Sequence, residues 1–332
     1  MTDPQNAPVL YLVVPCYNEE ALLRDSAEKL LQKLHALSRA DGPARISADS
    51  RIVLVDDGSR DGSWQIMRAL SEADAHFVCL RFTRNFGHQS AVLAGLMLAR
   101  DARADVTVSI DADLQQDIDA IDLFLTKYRE GHDIVYGVRN SRSTDGFFKR
   151  LSANLYYSLM KALGCDVLRN HADYRLMSLA ALDALAQFEE TNLFLRGIVP
   201  LCGFDACVVY FDVHERTAGE SKYTLAKMLT LAANGITAFS IRPMHLIMAL
   251  GLIVFVIAVI LVIYCFIVYF EGKTVPGWAN LTISTWALGG LQLLAIGCVG
   301  EYVGKAYMEA KRRPRYLIRE RLGADAKPPQ EP

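Results

Sequence analysis

The sequence lacks the cysteine patterns that mark a disulfide framework or a structural zinc site. It contains seven cysteines, an odd number, and no two of them form a CxxC pair. Such spacing is typical of reduced thiols in the cytosol rather than of a secreted, cross-linked domain. The cysteines are therefore given no role in ligand binding.

Two other patterns are missing, and each excludes a class of protein. No GxGxxG follows the first apolar segment, which argues against a dinucleotide-dependent oxidoreductase. Residues 1–10 lack a basic stretch followed by an apolar core, so we expect no secretory signal peptide and a large domain that stays in the cytoplasm. The formal net charge is −2 over 332 residues, and we expect no nucleic acid among the partners.

Charged side chains are almost absent from two long apolar segments near the C-terminus. Residues 244–270 contain His245 as their only basic or acidic residue, and residues 281–300 contain none. A helix of the first length rises roughly 40 Å, and about 20 apolar residues can span a bilayer. The sequence therefore predicts a hairpin of two transmembrane helices over 244–304, with both ends on one side of the membrane.

The residues around this hairpin predict its orientation. Basic side chains follow the second span, and positive flanks stay in the cytoplasm; they are Lys305, Lys311, Arg312, Arg313, Arg315, Arg319 and Arg321. We expect a basic cytoplasmic tail over 305–332 and both termini in the cytoplasm.

Two further features belong to this membrane segment. Residues 221–243 are expected to form an amphipathic helix in the membrane interface, with packing onto the soluble domain as the alternative. Glycines recur in and after the second span, which would allow helices to pack closely and leaves a homo-oligomer open; they are Gly289, Gly290, Gly297, Gly300 and Gly304.

The N-terminal part of the chain alternates short β-rich apolar runs with helical stretches. The predicted strands are residues 9–14, 51–55, 77–82, 106–110 and 133–136. This alternation predicts an α/β domain over 1–220 with a mainly parallel sheet, and another strand pair or hairpin is expected near 208–213. Ligands bind such sheets at the carboxyl ends of the strands, so the residues after each strand are candidates for function.

Polar residues follow the first two strands. The first strand ends in PCYNEE at 15–20 and the second in DDGS at 56–59. A nucleoside needs an apolar surface for its base and acceptors for its base and ribose donors, and these two strand ends offer both. Asp61 lies just beyond, and its favoured interpretation is a helix cap.

The third and fourth strand ends carry residues suited to phosphate and metal ions. RNFGHQ at 84–89 contains Gly87, which would let the backbone approach a phosphate closely. The fourth strand ends in DADLQ at 111–115. Asp111 and Asp113 can face one divalent ion across a turn, with Gln115 as a further oxygen ligand, and Mg²⁺ or Mn²⁺ there would neutralise a departing diphosphate.

The motifs PxYNE, VDDGS, RNxGxxxA and DADLQ are followed by GxR at 137–139, RxxGxSKY at 216–223 and RPxY at 313–316. This series resembles the family 2 glycosyltransferases of GT-A fold that act on polyprenyl phosphates, such as dolichyl-phosphate mannose synthase and the bactoprenol glucosyltransferases. The resemblance covers residues 9–322. It is closest to the bactoprenol subgroup at NHADYRLMS, 170–178, and FLRGIVP, 194–200. The run DLQQDID departs from the family's DLQHPPE and lacks its rigid turn.

The resemblance implies a metal-dependent enzyme that moves a sugar, with inversion, from a UDP-sugar to undecaprenyl or another polyprenyl phosphate. Glucose is the first choice of sugar and N-acetylglucosamine the second. Such an enzyme would lie in the bacterial inner (cytoplasmic) membrane and supply cell-envelope glycan modification. A phosphate acceptor is already anionic at neutral pH, so no strong general base is required.

The resemblance also implies roles for individual residues. Nucleotide-sugar binding is expected at Pro15, Tyr17, Glu19, Asp56, Asp57, Gln89, Asp111, Ala112 and Ser221. Metal binding is expected at Asp111, Asp113 and Gln115. Catalytic contacts, including those to the diphosphate and the acceptor phosphate, are expected at Asp111, Asp113, Arg139, Arg175, Arg216 and Lys222. Lys149 or Arg150 would assist Arg139.

Two alternatives stay open at this point. A processive polysaccharide synthase shares the GT-A core but usually has more spans and a QxxRW motif, and none of Trp64, Trp278 and Trp286 lies in one. A non-catalytic flippase or transport component would need a translocation path, which two spans with a short loop do not offer unless subunits associate.

Overall fold

The computed structural model describes residues 7–140, 171–190, 193–212, 242–271 and 278–323. The chain divides into two compact units. The first is assembled from three separate stretches, Met1–Leu151, Val167–Lys222 and Pro314–Pro332. The second consists of Ser152–Asp166 and Tyr223–Arg313.

The first unit is built on an eight-stranded sheet. Its strands are β1 (Leu10–Cys16), β2 (Arg51–Asp56), β3 (Phe77–Phe82), β4 (Val106–Ser109), β5 (Ile134–Arg139), β6 (His171–Ser178), β7 (Ala206–Phe211) and β8 (Ile318–Leu322). They are ordered β7-β5-β6-β4-β1-β2-β3-β8.

Most strands of the sheet point in one direction, and β6 and β8 are reversed. Strands β4, β1, β2 and β3 run parallel to one another, as the sequence predicts. Strand β6 runs antiparallel to both β4 and β5, and β8 runs antiparallel to β3. Strands β5 and β7 also point in the direction of β4, so the prediction of a mainly parallel sheet holds for the direction of most strands, and the whole sheet is mixed.

The five strands predicted in the N-terminal part are all present, as β1 to β5, with somewhat different ends. Their apolar runs are buried because helices cover the sheet. The strand predicted near 208–213 is β7, and it pairs in parallel with β5. Among the described residues β7 has no hairpin partner.

Helices cover both faces of the sheet. The six helices described in this unit are α1 (Leu23–Arg39), α2 (Ser63–Ala73), α3 (His88–Asp101), α4 (Ala120–Arg129), α5 (Leu179–Leu185) and α6 (Leu195–Leu201). Helices α1, α2 and α4 share one core with Leu10 and Leu12. Helix α3 packs on Val13, whose side chain points to the opposite face of β1.

The second unit contains two long helices, α7 (Arg242–Phe270) and α8 (Trp278–Ala310), which contact each other. Counted over the described residues, no helix combines the length and the apolarity that crossing a bilayer requires. The two transmembrane spans therefore stay a prediction from the sequence. The predicted interfacial helix over 221–243 lies almost entirely outside the described residues.

Strand β8 was not expected, because the sequence there indicates only a basic tail. It joins the sheet beside β3, where Cys79 is aligned with Leu322 and Phe82 with Ile318. Just before it, the ring of Tyr316 stacks on Phe82 with 5.3 Å between the ring centroids. The edge of β3 is thus covered by a strand from the end of the chain.

Candidate active site

The predicted site residues gather at one edge of the sheet. The carboxyl ends of β1, β2, β3 and β4 meet there because these strands are parallel. Strand β6 runs the other way, and Ser109 near the end of β4 is aligned with Arg175. The first half of β6 therefore lies at the same edge, as does Arg139 at the end of β5.

The ends of β1 and β2 are fastened to each other by hydrogen bonds. The backbone N–H of Asn18 donates to Ser59 Oγ over 2.9 Å, and the side chain of Asn18 accepts a bond of 2.9 Å from the N–H of Arg60. Pro15 is buried, Glu19 is half-buried and Tyr17 is 42% exposed. The fixed turn thus presents the Tyr17 ring to solvent at the edge where a base would lie.

Asp61 has the structural role expected from the sequence. One of its carboxylate oxygens accepts bonds from Ser63, 3.1 Å from the N–H and 2.6 Å from Oγ, at the first turn of α2. The other oxygen accepts from the N–H of Glu20. Partial burial raises the pKa of Asp61, but these bonds lower it further, to below its usual value.

The two carboxylates that end β2 differ in what they bind. Asp56 is fully buried; its Oδ1 accepts from the N–H of Ser59, and its Oδ2 lies 3.3 Å from Arg81 Nε. Asp57 accepts 2.7 and 3.0 Å bonds from the N–H groups of Phe86 and Gly87. Burial raises the pKa of Asp57 by more than these bonds lower it. Asp57 therefore fixes the loop that follows β3.

Glycines allow this loop to approach β2. Gly58 has φ +70°, and a Cβ there would lie 2.5 Å from the carbonyl carbon of Arg84. Gly87 has φ +95°, with open space where its side chain would be. Its N–H is already bonded to Asp57. Contact between Gly87 and a phosphate stays a prediction.

The acidic turn, defined here as residues 111–116, follows β4. The turn is closed by a bond from the N–H of Leu114, at φ +46°, to the carbonyl of Asp111. The side chain of Gln116 donates to the Asp111 carboxylate over 2.5 Å, and the carbonyl of Ala112 accepts from Ser26. The turn is thus held by hydrogen bonds without the prolines of the DLQHPPE pattern.

The donor atoms of the acidic turn suit a hard divalent cation. Asp111 and Asp113 offer carboxylate oxygens and Gln115 an amide oxygen, the ligand types that Mg²⁺ and Mn²⁺ prefer. Burial raises the pKa of Asp111, His88 opposes that rise, and the nearby Asp113 adds to it. A divalent ion would offset the repulsion between these two carboxylates, so the residues fit the predicted metal.

Asp173 is a site residue that was not predicted from the sequence, because it lies inside β6 rather than after a strand; it is 7% exposed. Its carboxylate accepts bonds from Arg175 Nη2 at 2.7 Å, from Arg196 Nε and Nη2 at 3.2 and 3.1 Å, and from Gln89 Nε2 at 3.1 Å. Burial raises its pKa, but His88, Arg196 and Arg175 together hold that pKa well below the usual value. Asp173 is thus an ionised carboxylate on which several side chains converge, and this group is called the Asp173 hub.

His88 connects this hub to the acidic turn. Its Nε2 lies 3.6 Å from Asp173 and 3.7 Å from Asp111. Burial lowers the pKa of His88, but these two carboxylates raise it further, to above its usual value. The two carboxylates therefore favour the protonated form of the imidazole at this edge of the sheet.

Two residues assigned to ligand contacts make protein contacts in the structure. Arg175 is fully buried and donates to Asp173 and to the carbonyl of Leu195. The amide of Gln89 donates to Asp173 and accepts from the N–H of Leu195. Both hold the site together, and their contact with a ligand stays a prediction. The sequence signal for Asp173 was a charged pair, Asp-x-Arg, in a stretch of strand length, since buried charges require partners.

The remaining predicted residues fall into two groups. Arg139 is half-buried at the end of β5, at the same edge as the acidic turn. The others lie outside the described residues: Lys149, Arg150, Arg216, Ser221 and Lys222.

Comparisons with known proteins identify the family of this chain. Residues 11–186 match the family model described as glycosyl transferase family 2. The uncharacterized glycosyltransferase YkoT of Bacillus subtilis is 47% identical, over 95% of this chain and 92% of its own length. The bactoprenol glucosyl transferase of Shigella phage SfX is 37% identical, over 93% of this chain and 98% of its own length.

Among the solved structures to which this chain is similar is the mannosyltransferase PcManGT of Pyrobaculum calidifontis in complex with GDP-Man and Mn²⁺. The two chains are 19% identical, the match covers 67% of this chain and 60% of the other, and the TM-score is 0.44. The family match covers more than half of this chain, and the relatives cover nearly all of it. This chain belongs to glycosyl transferase family 2.

Proposed function

We propose that this protein transfers a sugar from a UDP-linked donor to a polyprenyl phosphate, with undecaprenyl phosphate as acceptor and glucose as the first choice of sugar. The observation that carries the proposal is the acidic turn, fixed at the sheet edge beside the ends of β1 and β2. The similarity to bactoprenol glucosyl transferases over 93% of the chain supports the acceptor and the sugar.

The ends of β1 and β2 form the donor side of the site. Tyr17 offers an exposed ring on which a base can lie, and the hydrogen bonds of Asn18 with Ser59 and Arg60 fix the turn beside that ring. Asp57 holds the loop after β3 through two backbone N–H groups. Binding of the nucleotide therefore requires little rearrangement of these backbone segments.

Asp111, Asp113 and Gln115 would hold the metal, which when bound supplies positive charge that stabilises the leaving diphosphate. Gln116 fixes the orientation of the Asp111 carboxylate. His88, at the start of α3, lies between Asp111 and Asp173 and so links the acidic turn to the Asp173 hub. These residues act by positioning and by electrostatic complementarity, since they hold their charges in place before the substrate arrives.

The acceptor side requires cations rather than a base. The phosphate of a polyprenyl phosphate is an anionic nucleophile at neutral pH. Arg139, at the end of β5, supports binding of that phosphate, together with Arg216 and Lys222 by resemblance. An attack from the face opposite the leaving diphosphate gives inversion at the sugar carbon.

We also propose that α7 and α8 anchor the protein in the bacterial inner membrane, with the catalytic unit and both termini in the cytoplasm. Large apolar side chains on both helices are exposed, and extended apolar surface is typical of membrane or protein contact; examples are Leu252, Ile260, Leu281 and Leu293. A membrane anchor would keep the site near the depth where a lipid phosphate emerges.

The substitution Asp113→Asn tests the proposed chemistry. We expect transfer to fall by at least about 100-fold, because the metal that would offset the developing diphosphate charge loses a carboxylate ligand. The assay uses purified full-length protein, Mg²⁺, polyprenyl phosphate and radiolabelled UDP-glucose, and measures lipid-linked sugar and released UDP. A parallel panel of nucleotide sugars, including UDP-N-acetylglucosamine, identifies the donor.

The matched control is Asp119→Asn, which removes an exposed carboxylate that pairs with Lys33 a few residues beyond the acidic turn. We expect it to transfer sugar like the wild type. Unchanged turnover in a folded Asp113→Asn protein would contradict the metal assignment. Products with several sugars per lipid would instead favour a processive synthase.

A further inference from the structure

A second group of side chains of the types that bind metal ions lies at the end of the sheet where the parallel strands begin. His35, Asp74 and His76 each offer a ligand atom, and these atoms lie within 4.8 Å of one another. His76 immediately precedes the first residue of β3, whereas the acidic turn lies at the carboxyl ends of the parallel strands. The two groups are therefore distinct sites on one domain.

The backbone holds the three residues in place. His35 lies on α1 between Leu34 and Leu37, which are buried in the core. The N–H of Asp74 bonds to Leu70 at the end of α2, and the carbonyl of His76 accepts a 2.8 Å bond from Ile52 in β2. The positions of the ligands thus follow from the framework, which is the condition for a pre-organised site.

The side chains already interact in a way that suits a metal ion. His76 Nδ1 lies 2.6 Å from Asp74 Oδ1, and the rings of His35 and His76 meet edge to face at 5.1 Å. Partial burial raises the pKa of Asp74, but its bonds to His76 and the nearby imidazoles lower it further, to below the usual value. The carboxylate is therefore ionised and available as a ligand at neutral pH.

The ligand types favour a different ion from that of the acidic turn. Two imidazoles and one carboxylate are typical of Zn²⁺ sites that keep a position open for water, whereas Mg²⁺ prefers oxygen ligands alone. Small side-chain rotations would bring the ligand atoms to the separations of about 3.3 Å that tetrahedral zinc requires. His76 and Asp74 are 26% and 29% exposed, so an ion can reach them from solvent.

We propose that His35, Asp74 and His76 bind one divalent transition-metal ion, Zn²⁺ or a similar ion, and that this ion ties α1 to the connection between α2 and β3. The site is independent of the donor and acceptor proposed above. The group stands alone among the described residues as a set of three such ligands.

Zinc binding by the full-length protein tests this site. The protein is treated with a chelator and titrated with ZnCl₂ in excess Mg²⁺, so that sites with oxygen ligands are already filled. Calorimetry and metal analysis of the desalted protein should show one bound Zn²⁺ in the wild type. We expect His35→Ala and His76→Ala to bind at least about tenfold more weakly, and the isosteric Asp74→Asn to do the same.

Two controls separate this site from other histidines and from the acidic turn. His132→Ala removes a histidine whose Nδ1 also lies against an aspartate, Asp205, but without a third ligand. We expect His132→Ala and Asp113→Asn to bind Zn²⁺ like the wild type. Melting temperatures without metal verify that each variant is folded. Zn²⁺ should raise the melting temperature of the wild type and of the two controls, and should not raise that of the variants that lack one of the three ligands.

Three results would overturn the proposal. The first is a wild-type protein that retains no Zn²⁺. The second is wild-type affinity in folded His76→Ala and Asp74→Asn proteins. The third is loss of the ion in Asp113→Asn alone, which would place it at the acidic turn. Sugar transfer is not needed for any of these measurements, so failure here leaves the proposed function untouched.

Discussion

At the scale of single residues, the site depends on the buried carboxylate of Asp173, which lies within a strand rather than after one. Asp173 accepts hydrogen bonds from two arginines and an amide, and the imidazole of His88 lies 3.6 Å away. Its partner Arg175 is fully buried, so the guanidinium has no access to water if the carboxylate is neutralised. Removing one member of such a buried pair leaves an uncompensated charge, which is strongly destabilising.

We predict that Asp173→Asn lowers the free energy of unfolding of the first unit by about 3–5 kcal/mol. The change keeps the size of the side chain and removes the charge that pairs with Arg175 and Arg196. Urea unfolding followed by hydrogen exchange at β6 measures the loss. The matched control is Asp183→Asn, whose half-exposed carboxylate also pairs with two arginines, and which should cost no more than about 1 kcal/mol.

The difference in unfolding free energy between the wild type and Asp173→Asn should depend on pH, because the pKa of Asp173 is low. A carboxylate whose folded pKa is depressed contributes stability above its unfolded pKa of about 3.9, and that contribution is lost as the pH falls through the folded pKa. The gap between wild type and Asp173→Asn should therefore be largest above about pH 5 and shrink only below about pH 4. A small difference in unfolding free energy at neutral pH would show that the charge of Asp173 does not stabilise the fold.

The site residues that the sequence identified and those it missed differ in where they lie on strands. Asp57, Asp111 and Asp113 follow apolar runs directly, so the parallel sheet alone brings them together. Asp173 lies within a strand that starts far along the chain and pairs antiparallel with β4. Its partners come from three segments, and no local pattern encodes that meeting.

At the scale of elements, the segment before β8 supports the loop between β3 and His88, the first residue of α3. Tyr316 stacks on Phe82, and Phe82 meets Phe86 edge to face at 5.7 Å. Phe86 in turn donates its N–H to Asp57. The segment itself is held by a bond between the N–H of Thr83 and the carbonyl of Leu317. A row of three rings thus connects the end of the chain to the site.

We predict that Tyr316→Ala lowers the free energy of unfolding by about 1–3 kcal/mol, since it removes a stacked aromatic pair and leaves a gap against β3. It should also raise hydrogen exchange of the Phe86 and Gly87 amides, because Phe82 loses its support. Tyr316→Phe keeps the ring and should resemble the wild type in both measurements. Unchanged exchange of those two amides in Tyr316→Ala would show that the ring row does not reach the loop.

The central strands were predicted because both of their faces are buried, whereas β6 and β8 were missed because charge interrupts the pattern. β1, β2 and β4 are continuous apolar runs because helices cover both faces of the sheet there. β6 contains Asp173 and Arg175, and β8 reads IRERL with its side chains exposed or half-buried. An edge strand with charged side chains resembles a solvated tail in sequence, and only its pairing with β3 distinguishes the two.

At the scale of the whole molecule, the catalytic unit is discontinuous in sequence. The chain builds seven strands, forms the two long helices of the second unit, and then contributes β8 to the first unit. Arg68 pairs with Glu320 at 2.6 Å, and Arg315 donates to the carbonyl of Phe188. The first unit therefore requires the last part of the chain for a complete sheet.

This requirement predicts different outcomes for two truncations of the full-length chain. Ending the chain after Arg313 removes Tyr316 and β8, which exposes the edge of β3 and its unpaired backbone groups. Ending it after Gly323 keeps every contact of β8 described above. We expect the first truncation to raise hydrogen exchange and protease cleavage at β3 and to lower sugar transfer, because the loop after β3 loses its support.

The second truncation serves as the control, since it also shortens the C-terminus but keeps the whole sheet. It should match the full-length protein in exchange at β3 and in sugar transfer. Equal exchange at β3 in both truncated proteins would show that β8 contributes nothing to the sheet. A loss of transfer without any change at β3 would instead assign the end of the chain a role apart from the fold.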